Sequence, residues 1–391
     1  MKDFKTIICE YKKIDFAKRK AALATVVRVR GSSYRSPGAR MLITDDGRWV
    51  GSISGGCLEG DALRKARQVM ADNKPMTVTY DTREESNQNL GIGLGCNGVI
   101  DVLIEPLDNK SANPVQLFES FEHATGPLAM ATIFSGSDGV GEKQLITSDK
   151  ALTSSLTNSK LSDAIVNDLS LVFETKKSEA KNYKIDEAEY DVFIELIQPT
   201  ISLVIFGGGF DARPVSELAK SLGWNVSVTD ECVAHIAPIF FPTADKLSLC
   251  QREFIDRDFN ITAYTACVLM SHNYEYDRDV LKKLIKTETP YIGILGPRKR
   301  FDKMQQEFSN QGIKLSLEDY LRIHSPIGLD IGAEAPDEIA VSIIAEIQSK
   351  FANRSGGFLK YHPGPIHQRD PQNDQVFKQV YLGNQEIKKS M

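Results

Sequence analysis

The apolar positions are most regular in the second half of the chain. Ile201, Leu203, Val204, Ile205 and Phe206 form a nearly unbroken run, the pattern of a strand buried on both faces. It passes directly into Gly207-Gly208-Gly209-Phe210-Asp211-Ala212. Beyond that turn Val215, Leu218, Ala219 and Leu222 recur at i, i+3, i+4 and i+7, which predicts an amphipathic helix ended by Gly223. Asn225 to Thr229 predicts a second strand, closed by Asp230. The alternation continues with a strand from Ala263 to Met270, a helix from Asp277 to Ile285 and a strand from Tyr291 to Leu295. A last helix is expected from Pro336 to about Ser349, with Asp337 and Glu338 favourably placed against its dipole. This order predicts a doubly wound parallel sheet.

The first half reads differently. A helix is expected from Phe4 to Lys20 and a strand from Leu23 to Val29. Met41-Leu42-Ile43 and Trp49-Val50 flank Asp45-Asp46-Gly47 as a hairpin. Further strands are expected at Met76 to Tyr80, Val99 to Ile104, Leu128 to Phe134 and Val192 to Ile197. The expected fold is α/β: an N-terminal α+β domain over 1–198, then a Rossmann-like doubly wound parallel-sheet domain over 199–350. Residues 151–190, rich in Ser, Lys, Asp and Glu, read as a solvated insertion. Residues 351–391, with Gly356-Gly357 and several prolines, read as an extended arm, and no internal repeat is evident.

Composition narrows the function. Hydrophobic residues make up 41 % of the 391 and charged residues 25 %, the balance of a soluble globular protein. With 47 basic against 52 acidic side chains and a net charge of −5, nothing supports a nucleic-acid binder. The longest apolar runs, 265–270 and 339–347, fall short of a membrane span, and Met1-Lys2-Asp3-Phe4 does not open a secretory signal. A cytoplasmic protein is expected. The six cysteines contain no Cys-x-x-Cys pair and read mostly as reduced thiols.

Several places could carry chemistry. In the turn after the first parallel strand, Gly207 permits the reversal, Gly209 a close approach of backbone to pyrophosphate, and Ala212 tight helix packing. Gly208 lies between them, and Asp230 is placed to accept from a ribose hydroxyl. That predicts NAD or another nucleotide, although a fold does not guarantee its ligand. No tyrosine is followed four positions later by lysine, so one familiar hydride-transfer pair is absent. His272, past a strand's carboxyl end, is either a general acid or base or a loop anchor. Arg298 opens a basic helix start, which is either an anion site or a solvated face. Asp230-Glu231-Cys232 with His235 is either a metal-ligating cluster or a plain strand end. In the first half, Gly31–Ala39 carries Ser33 and Arg35, and Gly51–Glu59 carries Gly55, Gly56, Cys57 and Glu59. Gly91–Gly98 carries Cys96 and Asn97. Such loops turn backbone N–H groups toward anions, and a thiol before a helix has its thiolate favoured. Tight turns are the plainer explanation.

Several of these motifs resemble the XdhC/CoxI family of xanthine dehydrogenase accessory proteins. They are Gly-Ser-Ser-Tyr-Arg-Ser-Pro-Gly-Ala-Arg-Met at 31–41, Gly-Gly-Cys-Leu-Glu at 55–59, Gly-Cys-Asn-Gly at 95–98 and Gly-Gly-Gly at 207–209. Ser-His-Asn-Tyr-Glu-Tyr-Asp at 271–277, Ile-Leu-Gly-Pro-Arg-Lys-Arg at 294–300 and the run 325–343 around Asp330 complete the match. It covers roughly 20–105 and 200–350. The resemblance implies a chaperone that binds molybdenum cofactor (molybdopterin), protects it during sulfuration and delivers it to an apo-molybdoenzyme of the xanthine dehydrogenase class. A cysteine desulfurase or sulfurase is an implied partner, and a homodimer is expected. Cys57 and Cys96 are expected to face molybdenum; Ser33, Arg35, Gly55, Gly56, Glu59, Asn97, Gly207, Gly208, Gly209, Asp230, His272, Arg298 and Asp330 are the other expected cofactor contacts. Two alternatives remain at this point: an NAD-dependent oxidoreductase using the Rossmann half, and a pure interaction protein. The chain departs from many relatives by reading Asp230-Glu231-Cys232 for Asp-Pro-Arg, which removes a positive charge, and Cys96-Asn97-Gly98 for Cys-Gly-Gly.

Overall fold

The structure is a computed structural model that describes residues 2–31, 33–82, 98–109, 113–122 and 124–362. The chain divides between Pro199 and Thr200 into two compact units.

The N-terminal unit runs α1 (Lys2–Lys12), β1 (Ala21–Gly31), β2 (Arg40–Thr44), β3 (Trp49–Gly51), α2 (Glu59–Asp72), β4 (Met76–Asp81) and β5 (Gly98–Leu107). It continues with α3 (Pro114–Ser120), β6 (Leu128–Ser135), β7 (Lys143–Thr147), β8 (Leu152–Ser154), α4 (Ser159–Thr175), β9 (Glu179–Ile185) and β10 (Ala188–Ile197). The strands form two antiparallel sheets, ordered β3-β2-β1-β5-β4 and β8-β7-β6-β10-β9. These orders are the same once the second set is renumbered. The helices repeat too, with α2 lying on β1 and β5 and α4 on β6 and β10.

The unit is therefore a duplication, contrary to the reading that no repeat exists. Arg40-Met41-Leu42-Ile43-Thr44 is echoed by Lys143-Gln144-Leu145-Ile146-Thr147, and Asp101-Val102-Leu103-Ile104-Glu105 by Asp191-Val192-Phe193-Ile194-Glu195. The first pair is offset by 103 residues and the second by 90, so no fixed period runs through the sequence. Unequal loops conceal the repeat.

Strand alternation builds four layers. Ala22, Ala24 and Val26 of β1 face α2, while Ala129, Ala131 and Ile133 of β6 face α4. The opposite faces meet, with Leu23, Leu42, Met130 and Leu145 in one core and Val27, Leu103, Phe134 and Phe193 in another. Two reciprocal ion pairs cross between the sheets. Arg40 of β2 holds Glu195 of β10 through two bonds of 2.9 and 2.5 Å, and Lys143 of β7 bonds Glu105 of β5. The segment 151–190 is no insertion. Its α4 buries Leu161, Ile165, Leu169 and Val172, and its Ser, Lys and Asp content belongs to the faces turned outward. The first helix also stops at Lys12, short of Lys20.

The C-terminal unit holds β11 (Ser202–Phe206), α5 (Ala212–Ser221), β12 (Asn225–Asp230), β13 (Lys246–Leu249), α6 (Ile255–Asp258), β14 (Thr265–Leu269) and α7 (Tyr274–Leu284). It closes with β15 (Tyr291–Ile294), α8 (Arg298–Asn310), α9 (Leu317–Arg322), β16 (Ile323–His324) and α10 (Pro336–Phe351). All pairings are parallel, in the order β13-β12-β11-β14-β15-β16. This is the doubly wound order whose switch point lies between the first and fourth strands, here β11 and β14. Helices α5 and α10 cover one face around Leu203, Val226 and Ile343, and α7 and α8 the other around Phe206, Leu269 and Phe308. Of the expected arm, residues 363–391 lie outside the described residues.

Candidate functional site

In the N-terminal unit the turn from β3 into α2 carries Gly55, Gly56 and Cys57. Ser54 organises it: its Oγ accepts from the amides of Gly56 at 3.2 Å, Cys57 at 3.0 Å and Leu58 at 3.1 Å. Its hydroxyl in turn donates to Glu59. Glu59 also accepts from the Ser54 amide at 2.9 Å, the Ser52 hydroxyl at 2.7 Å and the Leu58 amide at 3.1 Å. Burial works against its charge, but the bonds from Ser54 and Ser52 outweigh burial and hold the carboxyl below its ordinary value. Glu59, only 4 % exposed, thus fixes the turn and is not presented to a ligand.

What the turn presents is backbone and sulfur. Gly55 and Gly56 are exposed, and Cys57 is half-buried ahead of the first turn of α2. Gly56 has φ +110°, and no atom lies within 4 Å of where a Cβ would stand. The ring of Tyr34 lies 3.4 Å from the equivalent point on Gly55, so the loop bearing Ser33 and Arg35 meets this turn. The Ser33 hydroxyl is buried without a partner among the described residues. An open glycine turn, a thiol at a helix start and a spare hydroxyl fit an anionic, sulfur-ligated cargo. Cys96 and Asn97 lie outside the described residues.

In the C-terminal unit the glycine turn packs tightly against its own chain at Gly207 and Gly208. A Cβ on Gly207 would stand 2.4 Å from Ser271 Cα, so glycine is required where β11 meets β14. Above Gly208 the same construction strikes the carbonyl oxygen of His235 at 2.6 Å. Asp230 is taken up by three donors: the Gly208 amide at 2.8 Å, the Cys232 amide at 2.8 Å and His235 Nδ1 at 3.0 Å. A carbonyl against Gly208 and an acid already holding three donors weigh against a dinucleotide, while Gly209 meets only His272 Cδ2 at 3.7 Å. Nor do three metal-ligating groups converge anywhere among the described residues. His272 instead pairs through Nε2 with Asp211 at 3.1 Å and lies over Gly209.

Arg298 begins α8 in an exposed position, and Asp330 is exposed in the loop between β16 and α10. Neither is drawn to the glycine turn by a described contact. Arg300, two residues into α8, pairs with buried Asp277 at 2.6 Å, where burial pushes the carboxyl up against bonds from Ser271 and Arg300. Sequence reasoning missed Ser54, Asp211 and Phe210, although all three lie in or beside the quoted motifs. A serine five residues before a buried acid was the available signal. Of the remaining thiols, Cys250 and Cys267 are less promising, since burial pushes them up to about 12. A groove of about 830 Å³ along α1 and the β2–β3 hairpin, floored by Ile14, Leu42, Trp49 and Val50, contains none of the expected contacts.

Comparison with known proteins is decisive on kinship. Residues 17–81 match the XdhC and CoxI family, and residues 203–347 match the XdhC Rossmann domain. A Bacillus subtilis relative, named as a probable xanthine dehydrogenase subunit, is 30 % identical over 84 % of this chain and 92 % of its own length. The chain belongs to the XdhC and CoxI family. An Escherichia coli relative named molybdenum cofactor insertion chaperone PaoD is 24 % identical over 84 % of this chain and 83 % of its own. A solved structure described as a xanthine dehydrogenase from Bacillus halodurans superposes with a TM-score of 0.73 at 30 % identity, covering 93 % of this family member and 98 % of that chain. Among the described residues, no helix is long and apolar enough to cross a membrane.

Proposed function

We propose that this XdhC-family chain is an accessory factor in molybdoenzyme maturation, binding molybdenum cofactor and delivering it to an apoenzyme of the xanthine dehydrogenase class. The observation that carries the reading is the Ser54–Glu59 network, which holds an open Gly-Gly turn and the Cys57 thiol together at one helix start. Kinship with a named insertion chaperone supports it. The cofactor is cargo: Cys57 supplies a soft sulfur toward its metal end, and the exposed Gly55-Gly56 backbone leaves room for its approach. Cys96 is the second proposed thiol. A cysteine desulfurase acting while the cargo is held, and a homodimer, belong to the same proposal.

The test is reconstitution of an apo-xanthine dehydrogenase with cofactor-loaded chain. Wild type is expected to restore substrate oxidation faster than free cofactor, and Cys57→Ala to lose that advantage. No advantage for wild type would remove delivery from the account.

A further inference from the structure

The crevice between β11 and β14 holds side chains that the maturation role leaves unused. Phe210 is 65 % exposed at the end of the glycine turn, a large ring left in water. Beside it Asp211 engages His272 through Oδ2, while Oδ1 has no partner among the described residues. His272 has φ +59°, which a non-glycine residue keeps only when its surroundings fix it. They do so here: the Ser271 hydroxyl bonds Asp277 at 2.6 Å and accepts the Asn273 amide at 3.1 Å. The Arg213 guanidinium lies 3.8 Å from the Phe240 ring centroid and 5.3 Å from that of Phe210. Its buried Nε is unpartnered among the described residues.

This set is wrong for a pyrophosphate, because the Asp211 carboxylate stands at the start of α5 and repels a second anion there. It suits the opposite ligand. An exposed aromatic face takes a planar ring, and a carboxylate with spare lone pairs takes two adjacent N–H donors on that ring's edge. We propose that the crevice binds a nitrogen heterocycle bearing a 2-amino-4-oxopyrimidine edge, stacked on Phe210 with its amino and ring N–H groups on Asp211. His272 is a positioning residue that orients the carboxylate. Arg213 is the cation for an anionic substituent. Adenine is disfavoured because its amino donor is flanked by ring acceptors. Pterins and guanine nucleotides share the required edge, and the preference for a pterin rests on the maturation role proposed above.

The full chain is titrated with 6-hydroxymethylpterin, followed by its fluorescence, and GMP and AMP are added as competitors. Pterin is expected to bind and AMP to leave it in place. Displacement by GMP shows that the shared edge is what is recognised; failure of GMP to displace identifies the pterin as the source. Phe210→Ala and Asp211→Asn are each expected to weaken pterin binding by about tenfold or more, with Phe210→Trp retaining it. Should Asp211→Asn not fold, the exposed Phe210 position still decides. AMP competing as well as pterin itself, or unchanged affinity in both variants, overturns the site. The two proposals fail separately. A chain that binds free pterin but never carries molybdenum loses the maturation role alone, and a molybdenum-loaded chain indifferent to both variants loses this crevice alone.

Discussion

Ser54 and Glu59 satisfy one another and the amides of Gly56, Cys57 and Leu58, so removing either takes partners from several polar groups of the turn at once. Ser54→Ala is expected to cost about 1–3 kcal/mol, read by urea denaturation. The sign with pH follows from the depressed carboxyl. The Glu59 contribution is complete above its ordinary value of 4.5 and is lost as pH falls below it toward the folded-state value. Wild type should therefore lose stability below that pH more steeply than Glu59→Gln; parallel curves would show that Glu59 is not the group titrating. In the sequence an acid stands two residues from a helix-start cysteine, and that proximity suggests a ligand contact. The partners of Glu59, Ser52 and Ser54, lie across the turn, where no periodicity reveals them. Asp230 escapes sequence reading for the same reason, since two of its three donors, Cys232 and His235, come from the next turn of chain.

At the level of elements, the crossed pairs Arg40–Glu195 and Lys143–Glu105 bind the two halves of the duplication to each other. Arg40 also donates to the Gly38 carbonyl at 2.8 Å and lies 4.5 Å from the Phe118 ring centroid, so the end of the Tyr34 loop is tied to the second sheet. Glu195→Ala should cost about 3–5 kcal/mol by leaving a buried guanidinium unpaired. Replacing both partners together with apolar residues should cost far less than that single change. Equal losses in the single and double variants, measured in urea, would contradict the pairing. Strands with continuous apolar runs, such as β11 and β14, are plain in the sequence. Short edge strands β8, β13 and β16 are not, because two to four residues are too few to carry a period. Helix α4 is hidden because its narrow stripe of four buried residues is averaged away by the polar positions around it.

Across the whole molecule, the Rossmann order is legible from alternating strand and helix patterns, but the fate of its glycine turn is not. What the turn can admit depends on what packs against it, and here the His235 carbonyl lies against Gly208 and the His272 ring near Gly209. Titration with NADH, followed by nicotinamide fluorescence, is accordingly expected to show no saturable binding; tight binding would revive the oxidoreductase reading. Light scattering at micromolar concentration is expected to give the mass of a dimer. The most direct test of the central claim is the molybdenum and pterin content of the chain purified from cells that make the cofactor, compared with its Cys57→Ala, Cys96→Ala variant. Both are expected on the wild type and neither on the folded variant. Equal loading of the two, or a wild type with no molybdenum or pterin, would contradict the cargo-carrying role.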